Sequence, residues 1–183
     1  MSFFGAVIKP RFDHRHVAAR IDSRVLERDP ERCVRFLVEA RRAHWMFEHL
    51  APLDGARQIR DMTMDIRALR DATGIPEPVV PFDTTFSRLL AAKKFPELAC
   101  HAYAHYRVNS RVIEIVAPIV MYSTNVDLRC AKNVDAAVEH ATAVLDILSD
   151  SWTEKQRDRC VDEIPVAFEK ARKNVVDILA AAE

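Results

Sequence analysis

A chain of 183 residues, 49% apolar and 30% charged, is long enough for one domain with a proper core and lacks the composition of a disordered segment. Lysine plus arginine and aspartate plus glutamate both number 27, so the formal net charge is zero. That argues against nucleic acid as the main partner, whose phosphates call for a basic surface. No apolar run approaches the ~18 residues of a membrane span, and no charged segment leads into a long apolar one at the N-terminus. No membrane partner is expected, and the cytoplasm is the default location.

Only three glycines occur, Gly5, Gly55 and Gly74. Phosphate-binding loops need clustered glycine so that backbone can approach the phosphates, and none is present. Scarce glycine with abundant Ala, Arg, Glu and Leu predicts an all-α fold. The four cysteines, Cys33, Cys100, Cys130 and Cys160, are far apart and form no CxxC pair. They read as buried thiols of a reducing compartment, not as a disulfide frame or a zinc site.

Along the chain, the apolar residues 1–8 read as an extended arm. Pro10 suits a helix start, and a helical pattern continues through Phe12, Val17, Ile21, Val25 and Leu26. Asp29-Pro30 stops it, with Asp29 able to cap the next helix and Pro30 at its first position. That helix spans about Glu31 to Leu50 and is read as burying Val34, Leu37, Val38, Trp45 and Leu50 or close variants of that set. Pro52 and Gly55 turn the chain into a third helix, about Ala56 to Ala72, with Ile59, Met62, Ile66 and Leu69 inward. Three prolines make 75–81 a connecting loop, and Thr84 or Thr85 can cap a short helix through Leu90.

The stretch from Phe95 to Tyr122 is the one to organise the chain around. Phe95, Ala99, Ala102, Tyr106, Ile113, Val116 and Val120 step mostly by three or four, the stripe of one long buried helix. His101, His105 and Asn109 stack on one face, and Pro118 predicts a kink. After a loop over Asn125 to Lys132, a sixth helix spans Val134 to Leu148. The last opens at Ser151 or Thr153 as cap, with a break or bend expected at Pro165. The result is an irregular bundle of about seven helices, a single domain.

Four segments, in order, resemble the plant-type, biliverdin-producing heme oxygenases. Glu31-Arg32-Cys33-Val34-Arg35-Phe36-Leu37-Val38-Glu39 resembles the start of that family's second helix. Ile75-Pro76-Glu77-Pro78 with Thr84-Thr85-Phe86-Ser87-Arg88-Leu89-Leu90 resembles its proline-bearing loop and short helix. Cys100-His101-Ala102-Tyr103-Ala104-His105-Tyr106 resembles the run into its distal helix. Asp150-Ser151-Trp152-Thr153-Glu154-Lys155-Gln156, with Cys160, Glu163 and Phe168, resembles its last helix. The resemblance implies a heme-oxygenase-like fold gripping heme, both substrate and cofactor, between a proximal and a distal helix. It implies O2- and reductant-dependent cleavage to biliverdin, iron and carbon monoxide, with electrons from ferredoxin or another reductase.

On that reading a proximal histidine holds the iron. His14, nineteen residues before Cys33, is favoured over His16; a register that matches neighbouring residues better puts Asp22 at the ligand position. Asn109 and Ser110 are the candidate catalytic residues of the distal side, with Tyr106 and Arg111 beside them. Arg172 and Lys173 are candidate partners of the propionates, since guanidinium and carboxylate pair well. The family's distal helix passes over heme with a glycine pair, whereas Val112 and Ile113 stand about there in this chain. A second reading follows: a non-catalytic relative whose pocket is filled by Val112 and Ile113 and which acts as a binding or regulatory module.

Other constellations are weaker. Glu97, His101 and His105 share a helical face, and His44 with Glu48 is the best second pair. Together they suggest a non-heme di-iron site of the same fold, although satisfied core histidines are the commoner case. Cys100 and Cys130 are possible nucleophiles, as in thiamin-degrading enzymes of similar architecture, without a base nearby in sequence.

Overall fold

The computed structural model describes residues 2–9, 21–53, 55–79 and 84–180. His14 and His16, and the helix expected from Pro10, fall outside the described residues. Among those that are described there is no strand. The described residues form an all-α fold, with seven α-helices in an irregular bundle: α1 Ser23–Arg28, α2 Pro30–Phe47, α3 Gly55–Thr73, α4 Thr84–Ala91, α5 Phe95–Thr124, α6 Val134–Asp150 and α7 Glu154–Leu179. No described helix is long and apolar enough to cross a membrane.

The N-terminal residues are not an extended arm. Phe3–Ile8 form one wide helical turn. Asp146 on α6 holds it, its carboxylate accepting from the Phe4 N–H and the Ser2 hydroxyl, each at 2.6 Å. Phe4 is fully buried and packs on Tyr103 and Trp152, ring centroids 5.2 and 6.0 Å away. Such aromatic packing adds to the burial itself.

α1 opens at Ser23, where Asp22 caps it: the carboxylate accepts from the Arg24 N–H at 2.9 Å. Pro30 opens α2 as read from the sequence, but Asp29 spends its carboxylate on the Arg32 side chain at 2.8 Å instead of on a backbone N–H. Trp45 is 56% exposed, a correction to the inward placement. Cys33, Leu37, Ala40, His44 and Phe47 follow a 4-3-4-3 spacing and are all buried, which turns the neighbouring Trp45 outward.

α5 is the centre of the bundle. Every residue from Pro96 to Tyr106 is buried, with α7, α2 and α6 its main neighbours. The expected stripe is inside except for Phe95, which is 45% exposed where the helix leaves the core. The most extensive helix contact is between α5 and α7, which carry buried small residues at Ala99, Ala102 and Ala104 and at Ala167 and Ala171. Small side chains there allow close approach of the axes. Pro118 and Pro165 lie inside α5 and α7 without breaking either helix. Both are exposed, so the carbonyl each leaves without a donor is within reach of water. Asn125 closes α5 in the left-handed conformation, φ 60°.

One cysteine expectation is overturned. Cys100 on α5 and Cys160 on α7 form a disulfide, Cα atoms 6.1 Å apart. Sixty residues separate them in sequence, and only the α5–α7 packing brings them together. Cys33 and Cys130 are buried free thiols, as expected.

Candidate functional site

α2, α5 and α7 enclose a cleft of about 380 Å³, its open mouth included. Most of that is open or interstitial space: the part that a water-sized group can fill is about 20 Å³, room for about one water. Its apolar wall comes from Phe36, Ala40, Ala43 and Met46 on α2 and from Ala171, Val175 and Ile178 on α7. Its polar groups are Glu39 and Arg42 of α2, His105 and Asn109 of α5, and Asn174 of α7. Placement follows helical spacing: His105 and Asn109 are four apart on α5, and Ala171, Asn174, Val175 and Ile178 recur every three or four residues on α7.

The polar groups are unevenly satisfied. Arg42 Nη2 donates to Glu39, at 2.9 and 3.2 Å from its two oxygens, an i, i+3 pair along α2. Arg42 Nε and Nη1 have no acceptor, nor has the amide nitrogen of Asn109, a residue only 4% exposed. A buried donor without a partner costs about 1–3 kcal/mol.

Beside the cleft, His44 is 3% exposed and stacks on Tyr106, centroids 4.1 Å apart. Neither imidazole nitrogen has a hydrogen-bond partner. Burial pulls its pKa down to about 3, so the ring is neutral. Glu48 is half-buried on the next turn. Further along α5, His101 Nε2 meets Glu163 of α7 at 2.8 Å, and Glu97 lies 3.7 Å from Arg159. The His101, His105 and Asn109 face is thus divided: His101 is tied across to α7, while the other two reach the cleft. Among the described residues no group of three His, Cys, Asp or Glu is arranged to hold a metal ion.

Of the described residues assigned to a heme site, Asn109 lines this cleft and the others lie elsewhere. Tyr106 is buried under His44. Ser110 is half-buried. Arg111 bonds Glu114 at 2.6 Å and Arg172 bonds Glu169 at 2.8 Å, each within its own helix, and Lys173 is exposed. Asp22 is an exposed helix cap. Val112 and Ile113 are 0% and 1% exposed, packed into the core.

The thiols offer no ready nucleophile. Cys100 is in the disulfide. Burial raises the Cys33 thiol to about 12, and burial with the neighbouring Asp65 carboxylate pushes Cys130 up as well. Sequence reasoning missed Arg42, Glu39 and Asn174. An i, i+3 acid–base pair reads as ordinary solvated surface, and a lone asparagine carries no motif. The buried 4-3-4-3 stripe of α2 was the available signal for which α2 face turns inward.

What these features define, among the described residues, is a class: an all-α bundle whose buried central helix borders a small amphipathic cleft. No family model matches the chain, and no curated protein or solved structure matches it.

Proposed function

We propose that the chain is a non-catalytic binding module on a heme-oxygenase-like helical frame. The observation that carries this reading is the burial of Val112 and Ile113, 0% and 1% exposed on the central helix. Branched side chains there occupy space that a macrocycle lying against this helix would need. Arg111 and Arg172, the guanidinium groups assigned to propionates, are each bonded to a glutamate of their own helix.

The second reading is a divergent heme oxygenase, with His14 as axial ligand and ferredoxin or another reductase as electron donor. One feature favours it: the buried amide of Asn109 has a free donor on the central helix, the kind of group that reading needs on its distal side. A hemin titration of the purified protein, followed by absorbance, separates the two. The binding-module reading expects no saturable Soret band. A band complete at one equivalent, and shifted or lost in His14→Ala, would overturn it in favour of the enzyme.

A further inference from the structure

We propose that Cys100 and Cys160 are a reversible redox couple: the fold stands with the pair as a disulfide or as two thiols, and the exchange tightens or frees the start of α7 on α5. This goes beyond the binding-module reading and does not rest on it.

The junction has supports besides the bridge. On either side of it the two helices meet through polar side chains: Glu97 lies 3.7 Å from Arg159, and His101 Nε2 lies 2.8 Å from Glu163. Breaking the sulfur–sulfur bond therefore leaves α5 and α7 in register. The thiol form also finds a partner. Cys100 Sγ lies 3.3 Å from the backbone carbonyl oxygen of Cys160, within reach for a thiol to donate. Both cysteines are 0% exposed. A buried free thiol behaves as a small apolar side chain, and Cys33 and Cys130 are already such thiols.

Access to the sulfurs follows from how little the start of α7 buries. Cys160 is the first buried residue of that helix; those from Glu154 to Arg159 are half-buried or exposed. Polar contacts hold this end. Thr153 and Gln156 cap it reciprocally, and Arg157 donates to the Ser149 carbonyl at 3.1 Å and lies over the Phe3 ring. A segment with so few buried contacts opens locally while the rest of the fold stays closed. Fraying of residues 154–160 uncovers the bridge. A thiolate of a small dithiol then attacks the Cys160 sulfur, forming a mixed disulfide and releasing Cys100 as thiolate. The second thiolate of the reductant closes on the first and releases Cys160. Two electrons pass to the protein, two protons follow onto its thiolates, and the reductant leaves as a cyclic disulfide.

The test uses the full chain in oxidised form, treated with dithiothreitol without denaturant, quenched, then unfolded and alkylated for mass measurement. Alkylated cysteines should rise from two to four while circular dichroism keeps its helical signal. They should return to two when glutathione disulfide replaces the reductant. Two variants fix the route. Thr153→Ala removes the cap and should speed reduction about two- to thirtyfold, because the rate follows the population of the open form. Asp65→Ala loses its bonds to the Arg129 and Cys130 N–H groups, away from this junction, and should change the rate less than twofold. A count held at two until denaturant is added, a helical signal lost on reduction, or a bridge that does not re-form would each overturn the couple. So would an Asp65→Ala acceleration beyond twofold, since reduction would then run through unfolding of the whole chain.

Discussion

His44 lies nearly parallel to the ring of Tyr106, 24° between planes and 4.1 Å between centroids, with both its nitrogens unbonded. A histidine held neutral in the fold is free to take a proton once the chain unfolds. Its native pKa is about 3 against an ordinary 6.5. Above pH 6.5 both states are neutral and the group is silent. Below it the unfolded chain binds the extra proton, and stability falls by up to about 1.4 kcal/mol per pH unit until pH nears 3. His44→Phe keeps the stacked ring and removes the titration. Urea melts between pH 7 and 4 should show a shallower loss for the variant; parallel curves would refute this account.

Asp65, 1% exposed on α3, accepts from the backbone N–H groups of Arg129 and Cys130, both at 2.9 Å. It anchors the short turn at Cys130–Asn133 that leads into α6. Asp65→Ala leaves two donors without their acceptor and is expected to lower stability by about 2–4 kcal/mol, since each bond to a charged group contributes about 1.5–3 and some strain relaxes. Equilibrium denaturation measures it. A loss under about 0.5 kcal/mol, the range of ordinary surface substitutions, would show that the anchor is dispensable.

The α5–α7 disulfide makes a countable prediction. Denatured without reductant, the chain should present two reactive thiols, Cys33 and Cys130, and four after reduction. Closing a loop of this length is worth about 4 kcal/mol in the chain-entropy picture. Cys100→Ala with Cys160→Ala should melt at a lower temperature than the oxidised protein. Four thiols in the unreduced sample would contradict the linkage.

Two neighbours in the same stretch of α5 should behave differently. Ile113→Ala is expected to cost about 2–5 kcal/mol, the range for a fully enclosed side chain. Ser110→Ala, half-buried, should stay within about 0.5 kcal/mol. A tolerant Ile113 would mean that the core around it is loosely filled, and the space argument behind the proposed function would fail with it.

The helices were legible in the sequence wherever local chemistry decides them. Pro30 opens α2, Thr153 caps α7 with Gln156 completing a reciprocal box, and the Ala99 to Val120 stripe of α5 is inside. What was not legible depends on partners far away in the chain. Hydrophobicity sends Trp45 inward, yet rotation of α2 against α5 buries His44 in its place. The disulfide and the cleft need α5 and α7 side by side, which no spacing within either helix specifies. Arg42 and Asn174 become notable only when the helices that carry them meet across the same space.

The anchoring of Phe4 on Asp146 has a consequence for synthesis. The two residues are 142 positions apart, and Trp152, which also covers Phe4, emerges later still. At about 5–20 residues per second, the adjacent Phe3 and Phe4 stay uncovered for roughly 7–28 s while the rest of their site is being made. Over that interval the nascent chain carries two phenylalanines whose cover, Tyr103, Asp146 and Trp152, is not yet complete. Production in a host short of chaperones should therefore lose material to aggregates before release, and slowing translation should make the loss worse.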